Sequence, residues 1–424
     1  MKTTKNRWLI ALSAIAIHLS IGGAYAYSVY TNPISEHMGW SASEVTIAFT
    51  IMMALAGSSA ALFGKFVELN GPRKSAMLAA VLFGLGQAGS GVAIAIGSLP
   101  VFLLTYGLLS GLGLGIGYIS PVSTLVKWFP DRRGLATGMA VLGFGTGALV
   151  TAPIAATLMV GIGISNTFYL LGAAYFVLMI LGASYIAPPT EGWMPASMKK
   201  DIASGKKVIK KDLQQLTSRE AVKTKRFWML WTMMLINTTA GIMMISVASP
   251  MAQEVVGLSA AAAATMVGIM GIFNGGGRLG WAAASDYLGR PNVFIIFFTI
   301  QIVAFLILPF TTSIFLFQLL ILLVVSCYGG GFSNLPAFIG DLFGTKQLGA
   351  IHGYLLTTWS LGGVFGPMIV SQIREKTDSY TPVFYVFLAL IILAFIVSIM
   401  MRLDIKNSEK DLQQKQLKSQ NHVG

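Results

Sequence analysis

Nothing constrains the fold of this chain more than its twelve apolar stretches, each about 19 residues or longer. They lie at 8–30, 44–64, 75–97, 100–124, 135–158 and 166–187, and again at 227–250, 261–284, 292–311, 313–337, 349–371 and 381–401. In hydrocarbon every backbone N–H and C=O must find its partner within the protein, so only helices and closed barrels cross a bilayer. A spanning strand needs only about 9–11 residues and a spanning helix about 20. The stretches are therefore helices, and the fold class is an all-α membrane protein with twelve transmembrane helices. Composition agrees: 11% of residues are charged, against about 25% in soluble domains.

The start of the chain could pass for a signal peptide, with Lys2, Lys5 and Arg7 ahead of an apolar run and Ala24-Tyr25-Ala26 resembling a cleavage site. A signal peptide has an apolar core of about 7–15 residues. This run extends from Trp8 to about Tyr30 and reads as a retained first span. Between the two sets of six spans lies a polar segment, 188–226, with ten Lys or Arg residues and four acids (Glu191, Asp201, Asp212, Glu220). It reads as a basic linker, either a solvated loop or a segment with a short amphipathic helix on an anionic membrane surface. The domains follow: an N-terminal bundle at 1–187, the linker at 188–226, a C-terminal bundle at 227–402 and a tail at 403–424.

An even number of spans puts both termini on one side. That side receives 26 of the 29 basic residues. Only Arg374 and Lys376 fall opposite, and Arg278 falls inside a span. Positive charge of this asymmetry marks the cytoplasm, so the expectation is a multi-pass protein of the cell (plasma) membrane with both termini cytoplasmic. The net charge of +13 then needs no nucleic-acid partner. The expected surroundings are the lipid bilayer and a small solute, with the chain acting as a monomer.

The halves echo each other. Pro121 corresponds to Pro336, Gly134 to Gly349 and Gly138 to Gly353, each at an offset of 215 residues. Six plus six spans with a weak internal repeat indicate a two-bundle transporter whose site lies near mid-membrane between the halves. Arg278 marks that site. The twelve residues before it, 266–277, are all uncharged, and the next ionisable group is Asp286. A charge at that depth costs from about 2.5 to more than 10 kcal/mol unless it faces water, a partner or a ligand. Gly271, Asn274 and Gly275, at i−7, i−4 and i−3, give Arg278 a small, polar face. No Asp or Glu lies near mid-span, so the partner expected for Arg278 is an anion from outside the protein. Snorkelling to an interface is the bland alternative.

After the second span the sequence reads Gly64-Lys65-Phe66-Val67-Glu68-Leu69-Asn70-Gly71-Pro72-Arg73-Lys74, and after the eighth, Ser285-Asp286-Tyr287-Leu288-Gly289-Arg290. These resemble the signature of the major facilitator superfamily, with Glu68 where an aspartate is usual. The resemblance implies a fold of two six-helix bundles, and ion pairs among Glu68, Arg73, Asp286 and Arg290 that close a cytoplasmic gate. Capping of helix ends is the alternative role, for which Glu68 is poorly placed near a C-terminal end. Within the superfamily, Tyr25–Pro33, Lys127–Gly138, Phe273–Arg278 and Asp341–Gly344 are similar to the oxalate/formate antiporter family. In that family two cations, in the eighth and eleventh spans, hold a dicarboxylate within an aromatic cavity. By that resemblance Arg278 is the first cation, and Tyr25, Tyr118, Tyr328 and Phe332 line the cavity. The lysine of the eleventh span is absent, with Trp359 in its place.

One arginine suits one carboxylate, held bidentately. A dianion would leave a desolvated charge that costs several kcal/mol. Charge matching therefore shifts the expected substrate from oxalate to a monocarboxylate such as formate, lactate or pyruvate, carried by secondary active or facilitated transport. Oxalate/formate-type antiport and a transporter-like sensor remain as alternatives. His18 and His352 are the titratable groups near neutral pH within the spans. Each is a candidate for a coupling proton or for a packing role. Without a mid-membrane carboxylate, exchange or uniport is favoured over proton symport. The glycine run Gly111–Gly117 lacks the Lys-Ser/Thr of a phosphate loop and reads as helix packing. The methionines of the seventh span (Met229, Met233, Met234, Met243, Met244) read as lipid-facing or core filler. No metal cluster, cofactor fingerprint or nucleophile–base pair is visible in the sequence, so neither an enzyme nor a cofactor is expected.

Overall fold

The computed structural model describes residues 5–190, 192–204 and 212–420. Among them, nine helices are long and apolar enough to cross a membrane. One of these, Glu44–Ala95, holds two passes, because Gly71 (φ 76°, ψ 168°) turns the chain between 42–70 and 72–95 in a conformation open to glycine. The helix Ala260–Leu288 and the broken helix Leu348–Leu355 plus Thr357–Thr377 complete the twelve passes. Numbered in chain order as spans 1 to 12, they follow the apolar stretches closely.

The ends differ from the sequence reading. Span 1 runs Arg7–Gly22, tightens to a 3-10 turn at Gly23–Ala26 and continues as Ser28–Met38 through Asn32 and Pro33. Span 7, Lys225–Val256, likewise contains Pro250. Hydropathy marks where hydrocarbon ends, whereas a helix continues while its backbone hydrogen bonds hold. For the same reason span 12, Thr381–Gln420, continues as one helix past residue 403 into the segment expected as the tail. Starts are set by side-chain caps. Asn6 accepts from Trp8 N–H, Ser41 and Glu44 form a reciprocal capping box, and Thr224, Ser259 and Ser313 cap spans 7, 8 and 10.

In the linker, Ala196–Ala203 and Ser218–Val222 are short helices. Lys206, Lys207, Lys210 and Lys211, part of the expected basic surface, lie outside the described residues. The Thr217 backbone N–H and hydroxyl hold the Glu220 carboxyl below the usual carboxylate range in a second capping box. Between the helices the chain runs along the end of span 10, where Leu213 N–H donates to Asp341 O (3.0 Å) and Leu216 N–H to Phe343 O (2.9 Å).

Two apolar cores follow the two sets of six spans, apart from Val126 of span 4, which joins the second core, and a larger exchange in the other direction. Tyr328, Phe332, Leu356 and Trp359, all from the second set, pack into the core of the first. Span 4 shows how glycine permits this density. Gly107, Gly111 and Gly115 lie against Ile51, Met52 and Ala56 of span 2, and Gly113 and Gly117 against Ala79 of span 3. The run is helix packing, as its composition suggested. Met233, Met234, Met243 and Met244 are buried core, and Met229 packs partly against it.

Both ends of the chain lie on one face. Arg7 pairs with Asp131 (3.0 Å), and Asp131 and Arg402 line a common cavity. At this terminal face the two sets of spans close on each other. Gly353 and Ala350 of span 11 lie against Ala60 and Gly64 of span 2, and Gly134 and Gly138 of span 5 lie against Ala282 and Leu279 of span 8.

Candidate functional site

Arg278 is 2% exposed, among the largest fully buried side chains of the molecule. Span 8 carries it to mid-depth, where Gly145 of span 5 leaves room: a Cβ there would lie 3.3 Å from Arg278 Cδ. Its Nε donates to Asn274 Oδ1 at 2.9 Å, one turn earlier on the same helix. Its guanidinium carbon lies 5.6 Å from the Phe144 ring centre and 5.5 Å from that of Phe332, so a ring from each half holds the cation. No carboxylate pairs with Arg278 among the described residues, and Nη1 has no hydrogen-bond partner. An unpaired buried donor costs about 1–3 kcal/mol, more when charged. A planar anion accepting from the fork removes that cost.

The aromatic side chains expected at the site converge on it. Trp359 lies 6.4 Å from Tyr25, 5.5 Å from Tyr118, 5.6 Å from Phe144 and 5.3 Å from Phe332, centre to centre. Tyr328 stands edge-on to Phe332 at 5.3 Å. Tyr25 and Tyr328 adjoin each other and Arg278. The Tyr118 hydroxyl adjoins the Arg278 guanidinium. Aromatic rings, phenol hydroxyls and one guanidinium thus cluster together, a combination with donors suited to an anion. His18 and His352 flank Tyr118 on either side, at 5.0 Å and 5.9 Å. His18 bonds two backbone carbonyls, whereas neither ring nitrogen of His352 has a partner.

Phe144 is the member that sequence reasoning missed. Its signal was Gly143-Phe144-Gly145 with Gly147, a bulky ring set among glycines. Gly143 and Gly147 admit Ile15 and Gly22 of span 1, while Gly145 admits Arg278. Asn274 was visible as part of the face but not as the residue that orients the guanidinium.

The motif charges lie at the terminal face, where the expected pairing is partly corrected. Glu68 pairs with Lys127 (3.4 Å), not with Arg73, which is exposed at the turn after Gly71 and makes no ion pair among the described residues. The other Glu68 oxygen accepts from Gly349 N–H (2.5 Å), at the start of span 11. Glu68 therefore does cap a helix, one from the other half rather than its own. Asp286 repeats the device: it accepts from Gly134 and Leu135 N–H (2.9 and 3.0 Å) at the start of span 5, and pairs with Arg290 (2.5 Å). An acid against the positive end of a facing helix is favourable on both counts of charge and hydrogen bonding. Arg133 adds a tie, to Asp341 (3.0 Å) and to Asp212 of the linker (2.7 Å). A cavity of about 540 Å³ adjoins these charges, bounded by Arg133, Asp286, Arg290, Asp341, Arg402 and Lys406, well away from Arg278.

Glu254 pairs with Arg374 at the opposite face.

Known proteins bear on this arrangement. The sequence pattern of the Major Facilitator Superfamily matches residues 12–367 and 243–421. The chain is 29% identical over 364 residues to the oxalate:formate antiporter of Oxalobacter formigenes, covering 85% of this chain and 83% of that protein. It is 24% identical over 328 residues to apicoplast pyruvate carrier 1 of Toxoplasma gondii, covering 63% and 60%. In three dimensions it matches the Major Facilitator Superfamily transporter FucP, in the outward conformation, with a TM-score of 0.70 at 14% identity, over 92% of this chain and 98% of that one.

Proposed function

This chain belongs to the Major Facilitator Superfamily, and we propose that it is a secondary active or facilitated carrier of a small monocarboxylate such as formate, lactate or pyruvate. The anion binds Arg278 and crosses by alternating access. The observation that carries the reading is the buried guanidinium with Nη1 free and no carboxylate beside it. The fork accepts one carboxylate in its plane. Tyr25, Tyr118 and Tyr328 supply hydroxyl donors, Phe144 and Phe332 fix the guanidinium, and Trp359 closes the chamber. The acids Glu68 and Asp286 hold the terminal face shut in this state, while the anion reaches Arg278 from the other side. The terminal face is the cytoplasmic one, in the plasma membrane, by the distribution of basic residues.

A second reading is exchange of oxalate for formate, favoured by the similarity to the antiporter. Trp359 separates the two. Its indole fills the chamber and brings no charge, so Arg278 is the one cation that a dianion would meet at every pH. Uptake into liposomes holding the purified protein, preloaded with each of formate, lactate, pyruvate and oxalate, decides between them. The monocarboxylate reading expects the first three to outcompete oxalate, and Trp359→Lys to gain oxalate uptake at their expense. Oxalate as the best substrate of the unaltered protein would favour the antiporter reading, and no uptake of any would leave a transporter-like sensor.

A further inference from the structure

His18 and His352 look equivalent in the sequence, and the structure separates them. His18, at 0% exposure in span 1, directs each ring nitrogen at a backbone carbonyl. Nδ1 lies 2.9 Å from Ala140 O in span 5, and Nε2 lies 3.0 Å from Tyr118 O in span 4. A carbonyl oxygen only accepts. A neutral imidazole has one N–H, so it can serve one of the two carbonyls and must turn a lone pair on the other; an imidazolium has two and serves both. Two carbonyls at these distances match the two N–H groups of an imidazolium. Its ring also stacks on Tyr118 at 18°, an aromatic face suited to a cation. His352 has no acceptor at either nitrogen, so nothing there receives the second N–H.

The groups facing His18 are few. Tyr118 comes from span 4, Arg278 from span 8 and His352 from span 11 beyond Tyr118; span 5 contributes the Ala140 carbonyl and the Phe144 ring, 6.3 Å away. Tyr175 of span 6 is engaged with Thr151. No carboxylate is among them. Phe144 is also the ring over which Arg278 lies, so the two nitrogenous groups share one wall of the chamber. A second cation beside Arg278 is opposed by repulsion and by burial, and an anion on Arg278 offsets both.

We propose that His18 is a proton-binding site that fills together with the anion on Arg278, so that one proton and one carboxylate cross as a pair. The proposal rests on the carboxylate reading of Arg278, and it reverses the preference for uniport or exchange that the lack of an acidic relay suggested. The proton comes from the water that reaches the chamber and adds the second ring N–H. It leaves, with the anion, to the other side. The cycle moves no net charge. Because the protonated form of His18 favours the anion, affinity is highest at low pH and is lost as pH rises through the titration of His18 in the loaded site.

Two measurements test this. In liposomes holding the full-length protein, the apparent KM for pyruvate should rise between about pH 6 and about pH 8, approaching tenfold per pH unit, the limit for one linked proton. A luminal pH dye should report one proton entering per pyruvate. His18→Gln should flatten the KM profile and uncouple the proton signal, whereas His352→Gln should keep both. A flat wild-type profile, uptake without proton movement, or a pH profile that persists in His18→Gln overturns the proposal. The second measurement needs neither a variant nor transport. The chain has four histidines, so nitrogen-15 labelling of histidine resolves the His18 ring. With pyruvate present, the proposal expects both His18 nitrogens protonated at about pH 6 and one at about pH 8. If pyruvate, lactate, formate and oxalate all fail to be transported, the carboxylate reading has failed and the proposal falls with it. If pyruvate is transported while His18 stays neutral across the range, the proposal alone is overturned.

Discussion

A Cβ added at Gly353, in the half of the bundle next to the termini, would lie 2.0 Å from the Ala60 carbonyl oxygen; one added at Gly271, in the half away from them, would meet nothing within 4 Å. The same contrast runs along single helices. On the face of span 8 that carries Arg278, the turns toward the termini are covered by Gly134 and Gly138 of span 5. Above Arg278, a Cβ at Gly275 would meet only Leu142, at 3.8 Å. What closes the half next to the termini is backbone proximity: where both partners are small, helices meet closely enough for an acid on one to reach the N–H groups of the other. Arg278 lies at the boundary, with the close packing of Gly138 on one side and the looser packing of Gly275 on the other.

Breaking the backbone contact should have the largest effect. Gly353→Val forces a side chain into the Ala60 backbone, and overpacking of this kind costs about 1–3 kcal/mol. The expected outcome is loss of folded protein or of transport, read by size-exclusion thermal melts and liposome uptake. Gly271→Val should leave the melt within about 0.5 kcal/mol of wild type. Equal losses in both variants would mean that the open half is as tightly packed as the other.

The acids rank next, and unequally. Asp286→Ala removes acceptors for two N–H groups and the nearer of the two acid partners of buried Arg290, which keeps Asp341, a loss of about 2–4 kcal/mol. Glu68→Ala removes one N–H contact and a longer, more exposed pair with Lys127, a loss of about 1–3 kcal/mol. Both should open the terminal face, Asp286→Ala more. Cys327 is the one cysteine, so Ser123→Cys in a Cys327→Ser background reports this opening through its maleimide reaction rate. Ser123 is buried beside Gly349. An unchanged rate in Asp286→Ala would remove the acids from the closure. Glu220→Gln should have the smallest effect, about 0.5–2 kcal/mol from the linker capping box, with no change in Ser123→Cys labelling.

Much of this was readable from the chain, and the reasons are specific. The twelve spans and Arg278 were visible because bilayer length and the cost of a buried charge are properties of single segments. Gly134 and Gly349, matched at the repeat offset, turned out to be the two N-termini that receive Asp286 and Glu68. The pairing itself was hidden. Glu68 looked badly placed at the end of its own helix, and only the packing of spans 2 and 11 shows that it caps another. Phe144 was hidden for a similar reason: a phenylalanine in an apolar span carries no signal until its neighbours are known. The two histidines could not be told apart because the difference lies in which carbonyls they face.

The central claim, that Arg278 holds the carboxylate, is tested most directly by calorimetric titration of the purified protein with formate, lactate and pyruvate. Wild type should bind at least one of them, and Arg278→Ala should bind about a hundredfold or more weakly, the loss expected for about 3 kcal/mol of charge-assisted bidentate bonding. Arg278→Lys should fail nearly as badly, because an ammonium cannot present the planar fork. Binding by folded Arg278→Ala at the wild-type affinity would contradict the account.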